Sequence, residues 1–349
     1  MALVHWRGMI GGTPMHKRRA VAAFIMLAGL GAPGWSQSLV VVNQGNATAS
    51  IIDGTSLAVV GSIEQRLPDR NRAHEVAISP DGKTAYLPVY GNSGVGRPGS
   101  DGREMLIADL PSRTIIGSVD FGRGVRPHLP VIDPKSGLVY VTTELDNSVA
   151  IVDPKARTVV GRIPTGAEQS HMLVLSPDGR TGYTANVGPG SVSVLDMVAR
   201  KTLAVIKVAD HVQRIAVSAD GRHVFTSDTQ ASRMAVIDTK TRTLKQWVPL
   251  PGRGYGAAAM RDGRSLLIIT RDRAGSDAVA VVDLKKMAVV QTIPVGKGPQ
   301  AIVIQPDEKL AYVSCAGDGT VAVIDLAQRR VIRTIATASG ADGLAWGGK

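Results

Sequence analysis

A short apolar strand ending in aspartate recurs seven times along the chain, and its period constrains the fold more than any other feature. The segments end at Asp53, Asp109, Asp153, Asp196, Asp238, Asp283 and Asp325, spaced 56, 44, 43, 42, 45 and 42 residues apart. Each is followed by a polar turn and a further apolar strand, such as 159–163 or 331–335. Most are preceded by a turn of the kind Ser79-Pro-Asp-Gly82, Ser176-Pro-Asp-Gly179 or Ser218-Ala-Asp-Gly221. Asp-Gly between alternating apolar residues is a tight hairpin signal.

One unit therefore reads strand, turn, strand, loop, strand ending in aspartate, turn, strand. Four strands in 42 to 45 residues is the size of a propeller blade, and a β-sandwich would not repeat so regularly. The expected fold is all-β, a single seven-bladed β-propeller of four-stranded blades over residues 37–349. Residues 39–64 supply three strands without a leading hairpin, and 341–346 supply a leading strand with nothing after it. Joined, they make a first blade closed by the C-terminal strand, which removes the open edge of a linear array. A composition of 44% hydrophobic and 20% charged residues can build such a core. The single cysteine, Cys315, excludes a disulfide scaffold.

The second strands carry Tyr140-Val-Thr-Thr143, Tyr183-Thr-Ala-Asn186, Phe225-Thr-Ser-Asp228 and Tyr312-Val-Ser-Cys315. With the Ser-Pro-Asp-Gly turns and the Val-Ile-Asp strands, these resemble the YVTN family of seven-bladed β-propellers. The Trp-Asp endings of WD40 repeats are absent. The resemblance implies an exported or cell-surface binding protein. More distant look-alikes are lactonases, the haem propeller of dissimilatory nitrite reductases, the copper propeller of nitrous oxide reductase and amine dehydrogenase heavy chains. A fold hosts many activities, so function must be argued from the site.

Residues 1–36 read as a signal peptide. Met15-His-Lys-Arg-Arg19 precedes an apolar run, 20–30, and then Gly31-Ala-Pro-Gly-Trp-Ser36: a basic start, a short apolar centre and small residues before a cut. The run is about half the length that spans a bilayer. Cleavage after Ser36 is expected to leave no membrane span, and Met15 reads as the true start. The expected location is periplasmic or secreted, and the expected state a monomer.

In a propeller the first strand of each blade lines the central channel. Counting five residues back from the Ser of each Ser-Pro-Asp-Gly turn, or its equivalent, gives one channel-mouth position per blade, with Asp342 on the closing blade: His74, His128, His171, Gln213, Tyr255, Gln300 and Asp342. These are candidate ligand-binding residues, together with Arg126, Arg253 and Arg271. Three histidines on consecutive blades are what a transition metal such as zinc or copper needs, and one suffices as an axial ligand to haem. His74, His128 and His171 are thus candidate metal ligands, set against a water-filled polar mouth or an organic ligand. A second ring is read at Asn43, Val89, Thr143, Asn186, Asp228, Thr270 and Cys315, with Glu144 and Arg271 beside it. The second blade also carries an insertion, 90–104, on the histidine face, readable as a lid, a partner-binding element or a tolerated mobile loop.

The formal charge of +11 falls to +7 once the four basic residues before Ser36 are removed, because no acid lies among them. Many of the remaining basic residues alternate with turn aspartates on the face away from the histidines. The histidine face keeps Arg70, Arg72, Arg97, Arg103, Arg123, Arg126, Arg253, Arg271, Arg273 and Lys297 with fewer acids between them. This favours an anionic small molecule or an acidic periplasmic protein as partner. Nucleic acid is disfavoured, since no run interleaves aromatic and basic residues. No Gly-x-Ser-x-Gly elbow or pair of catalytic carboxylates is evident. The sequence therefore favours an exported ligand- or protein-binding propeller over an enzyme. The alternative is a metal- or haem-associated redox or maturation propeller, and the third reading a lactonase-like hydrolase.

Overall fold

The computed structural model describes residues 37–348 apart from 69, 70 and 273. The signal peptide, the Met15 start, Arg70 and Arg273 lie outside the described residues. Within them the chain forms seven antiparallel sheets arranged as blades of a propeller. The first blade pairs Ala341–Gly347 with Ser38–Asn43, followed by Thr48–Asp53 and Val59–Glu64. The C-terminal strand thus closes the N-terminal blade, as expected. Blades two to seven follow in chain order, and the inner strand of each lies against that of the next around the ring.

Burial explains the residue pattern of each strand. Second strands such as Thr181–Asn186 and Leu310–Cys315 are buried on both faces between neighbouring blades, so they carry apolar or small residues, with tyrosine or hydrogen-bonded asparagine among them. Fourth strands such as Thr158–Pro164 and Ala288–Pro294 alternate exposed and buried positions, because only one face meets the core. Each outer pair carries a register shift, as between Ile151 and Val152, which twists the edge strand and blunts it against pairing with another chain.

The recurring aspartates are turn caps. Asp153 accepts the backbone N–H groups of Lys155 and Ala156 at 2.9 and 3.1 Å, and Asp238 those of Lys240 and Thr241 at 3.0 and 2.8 Å. Four residues after the cap the chain takes a positive φ, 54° at Arg157 and 55° at Arg200. From there the arginines reach the neighbouring blade: Arg157 Nη1 lies 2.5 Å from where a Cβ on Gly117 would stand, and Arg200 Nη1 3.1 Å from that of Gly161. Many of the basic residues on this face therefore belong to turns and blade contacts. No helix among the described residues is long and apolar enough to cross a membrane.

Candidate functional site

Every channel-mouth position sits at a bulge or a break of its inner strand. Ser170 opposes Asn186 and Met172 opposes Ala185, leaving His171 as the extra residue; similar shifts span Gln213, Tyr255, Gln300 and Asp342. In blade three the shift spans His128, and in blade two the inner strand breaks into Arg72–Ala73 and Ala77–Ile78 around His74. A bulge bends its strand and re-aims its side chains. Here six bulges and the break in blade two do so around one axis. His74, His128, His171, Gln213, Tyr255, Gln300 and Asp342 consequently line a single cavity of about 210 Å³, with Gln44, Tyr90 and Arg214.

One wall is a packed aromatic cluster. The His128 and His171 rings stack with centroids 3.6 Å apart, and His74 packs on Tyr90 at 4.6 Å. The Tyr90 hydroxyl donates to Glu144 Oε2 at 2.6 Å, and His171 Nδ1 lies 3.3 Å from the same oxygen. Burial opposes ionisation of Glu144, but these contacts and the Arg126 charge hold its carboxyl below the usual range. Burial, with nearby His171, Arg72 and Arg214, pushes His74 down to about 3, and burial pushes His128 well below its ordinary value. Both imidazoles are therefore neutral at pH 7.

The floor is an ion pair that crosses the channel. Arg214 of blade five reaches Glu75 of blade two through Nη1, and its Nη2 lies 3.6 Å from Asp342. Glu75 and Arg214 are 4% and 6% exposed, so the pair plugs the channel. Burial and the proximity of Glu75 raise Asp342 to about 7, although Arg214 and a bond from Gln44 pull the other way.

The insertion is the roof. Gly94 and Val95 line the cavity, and Arg126 fastens the loop through Asp101 at 2.6 Å and the carbonyls of Arg97 and Gly94 at 2.8 and 3.3 Å. Gly102 packs so tightly that a Cβ would stand 1.7 Å from the Val89 carbonyl oxygen. The insertion thus lies over the cavity and is fastened beside it, the placement that the lid reading expects.

The candidate residues thus separate into groups. The seven channel-mouth residues share the cavity. Arg126 turns instead to the lid and to Glu144, 3.6 Å away. Arg271 stacks on Tyr255 at 3.8 Å and donates through Nε to the Pro299 carbonyl, while Arg253 lies in an adjoining recess. The three imidazoles pack ring on ring. Among the described residues no group of three or more His, Cys, Asp or Glu side chains stands where it could hold one metal ion. The second ring is structural where it bonds: Asn186 holds Ser191 and Ser193, and Thr143 holds Ser148. Cys315 is buried, and burial raises its thiol to about 11.

Two central residues escaped the count. Glu75 and Arg214 each follow a channel-mouth residue by one position, so moving the count by one would have found an acid and a base. Their partnership needs the ring, because 139 residues separate them. Several of the arginines read as a net-positive mouth are matched by acids: Arg126 by Asp101 and Glu144, Arg123 by Asp146, and Arg103 by Asp120 at 2.6 Å.

Residues 133–261 match the family described as cytochrome D1 heme domain. The chain is similar to an uncharacterized protein YncE of Salmonella typhimurium, 23% identical over 59% of this chain and 60% of that one. It is also similar to antigen Lp49 of Leptospira interrogans, 25% identical over 53% of this chain and 41% of that one. It therefore spans less than two thirds of the length of these curated relatives. Among solved structures, hydrazine synthase of Kuenenia stuttgartiensis superposes with a TM-score of 0.66 at 17% identity, covering 80% of this chain and 89% of that one. Dihydro-heme d1 dehydrogenase NirN, in complex with DHE, superposes with a TM-score of 0.61 at 17% identity, covering 87% and 64%. These likenesses share the fold: the chain is a seven-bladed β-propeller, and its repeat motifs resemble those of the YVTN type.

Proposed function

We propose that this protein is an exported binding propeller that holds a small polar molecule in the channel mouth beneath the lid. The observation that carries the proposal is the convergence of seven channel-mouth residues on one roofed cavity with unsatisfied polar atoms. His74 Nε2 and Arg214 Nε are buried without hydrogen-bond partners, and such atoms are costly unless something satisfies them. The neutral imidazoles of His74 and His128, three glutamines, Tyr255 and the Asp342 carboxyl offer donors and acceptors without a large net charge.

Thermal shift against a panel of small polar metabolites tests this, with Val95→Trp filling the cavity from the roof. A compound that stabilises the wild type and not the variant is the expected result. A panel with no such compound overturns the proposal. Export is tested by N-terminal sequencing of protein recovered from the periplasm, with a start at residue 37 expected.

The family match over residues 133–261 favours a second reading, in which the protein is associated with haem. The cavity does not fit a haem in its interior. At about 210 Å³ it falls below the range of about 300 to 1,000 Å³ for drug-sized ligands, and a tetrapyrrole is larger still. On this reading the histidine face meets a haem-bearing partner. Co-purification with a haem-bearing protein that is lost in His74→Ala would favour this reading, whereas haemin alone is expected to give no stoichiometric absorbance band on either one.

A further inference from the structure

A recess of about 330 Å³ adjoins the channel mouth and shares Tyr255 with it; Thr229, Arg253, Gly254, Arg271 and Asp272 complete its lining. Two guanidinium groups use the Tyr255 ring, Arg271 at 3.8 Å and Arg214 at 5.0 Å. Their situations differ. Arg214 is paired with Glu75 and lies 3.6 Å from Asp342. Arg271 is held in place by the Pro299 carbonyl at 2.7 Å, yet its Nη2 is buried with no partner. Among the described residues, neither Arg253 nor Arg271 forms an ion pair with a carboxylate.

We propose that Arg253, Tyr255 and Arg271 form a subsite for a singly charged carboxylate. A guanidinium fork matches a carboxylate with two parallel N–H donors, and Arg271 is pre-oriented by its stacking and its bond to Pro299. The local charge favours a monoanion. Two arginines and Asp272 line the recess, and Asp277 and Asp342 act on Arg271 from nearby, so the positive charge left for a ligand is small and suits a carboxylate better than a phosphate dianion. Burial and the nearby Arg214 disfavour the charge on Arg271, and a bound anion would relieve both effects. The subsite extends the binding proposal, because a molecule seated in the mouth can place an acid group past Tyr255.

Simple anions test it without knowledge of the natural ligand. Calorimetry with benzoate, acetate and inorganic phosphate, at constant ionic strength set with sodium chloride, is compared for the wild type, Arg271→Gln and Arg253→Gln. The carboxylates are expected to bind saturably and more tightly than phosphate, and each substitution to weaken them about tenfold or more. Should Arg271→Gln fail to fold, Arg253→Gln, half-buried at the rim, carries the test. Wild-type protein that ignores the carboxylates, or variants that bind them as the wild type does, would overturn the subsite. Val95→Trp keeps the two proposals apart: carboxylate binding in that variant supports the recess, whatever the metabolite panel shows.

Discussion

Arg126 ties the lid to the channel wall through one guanidinium, with Asp101 on one side and Glu144 on the other. Removing it leaves Glu144 buried against Tyr90 and His171 without its nearest cation. Arg126→Ala is therefore expected to cost about 3 kcal/mol in urea unfolding. It should also open the insertion, so that limited proteolysis within residues 92–100 quickens at least severalfold. Arg126→Lys should restore little of the lid's protection, since one ammonium cannot reach the Arg97 carbonyl and two carboxylates together. An unchanged cleavage rate in the alanine variant would show that the lid is held elsewhere. Gly343 is as exacting for a steric reason. A Cβ there would stand 2.4 Å from the His74 carbonyl oxygen and 2.5 Å from Glu75 Cα, both backbone atoms of the neighbouring blade. Gly343→Ala is expected to lose about 2 kcal/mol by the same unfolding measurement, because the closing strand must back away from blade two.

At the scale of the strand, the bulge is the element that makes the site. Its position, though not the bulge itself, was legible in the sequence as a fixed offset from the first turn of the blade, which is why the count found His74, His128, His171, Gln213, Tyr255, Gln300 and Asp342 together. The blade order and the closing strand were legible for a similar reason, since turn aspartates and apolar runs are set by local hydrogen bonding and burial. What the count missed depends on distance through space. Glu75 and Arg214 meet only across the closed ring, and Arg126 found its partners in a loop whose path no repeat dictates. The cross-channel pair yields a test at this scale. Glu75→Gln leaves Arg214 with Asp342 as its remaining carboxylate neighbour, and a loss of about 3 kcal/mol is expected in chemical denaturation. Replacing both partners, Glu75→Leu with Arg214→Met, is expected to recover most of that loss, because a buried ion pair adds little over apolar side chains of similar volume. A double variant no more stable than Glu75→Gln would instead make the pair a net stabiliser of the ring.

The whole molecule shares one channel, so titration at its mouth is felt as stability of the ring, and two groups there act in opposite directions. His74 has its pKa lowered from 6.5 to about 3, so the unfolded chain binds its proton more readily and stability is lost as pH falls below about 6.5. His128 adds a loss of the same sign. Asp342 has its pKa raised from 3.8 to about 7, so the folded chain binds that proton more readily and stability is gained as pH falls from about 7 towards 4. Between pH 7 and pH 5 the His74 and Asp342 effects are each about 2 kcal/mol and nearly cancel. Substitution uncovers one arm at a time. Urea unfolding of Asp342→Asn is expected to show an acid loss steeper than the wild type by about 2 kcal/mol over this range, and that of His74→Gln a shallower one by a similar amount. The opposite ordering would mean that Asp342 stays ionised through pH 5, held by Arg214 more strongly than Glu75 and burial oppose it. The charge at the floor of the channel would then be fixed, and ligand binding at the mouth would not vary with the protonation of Asp342.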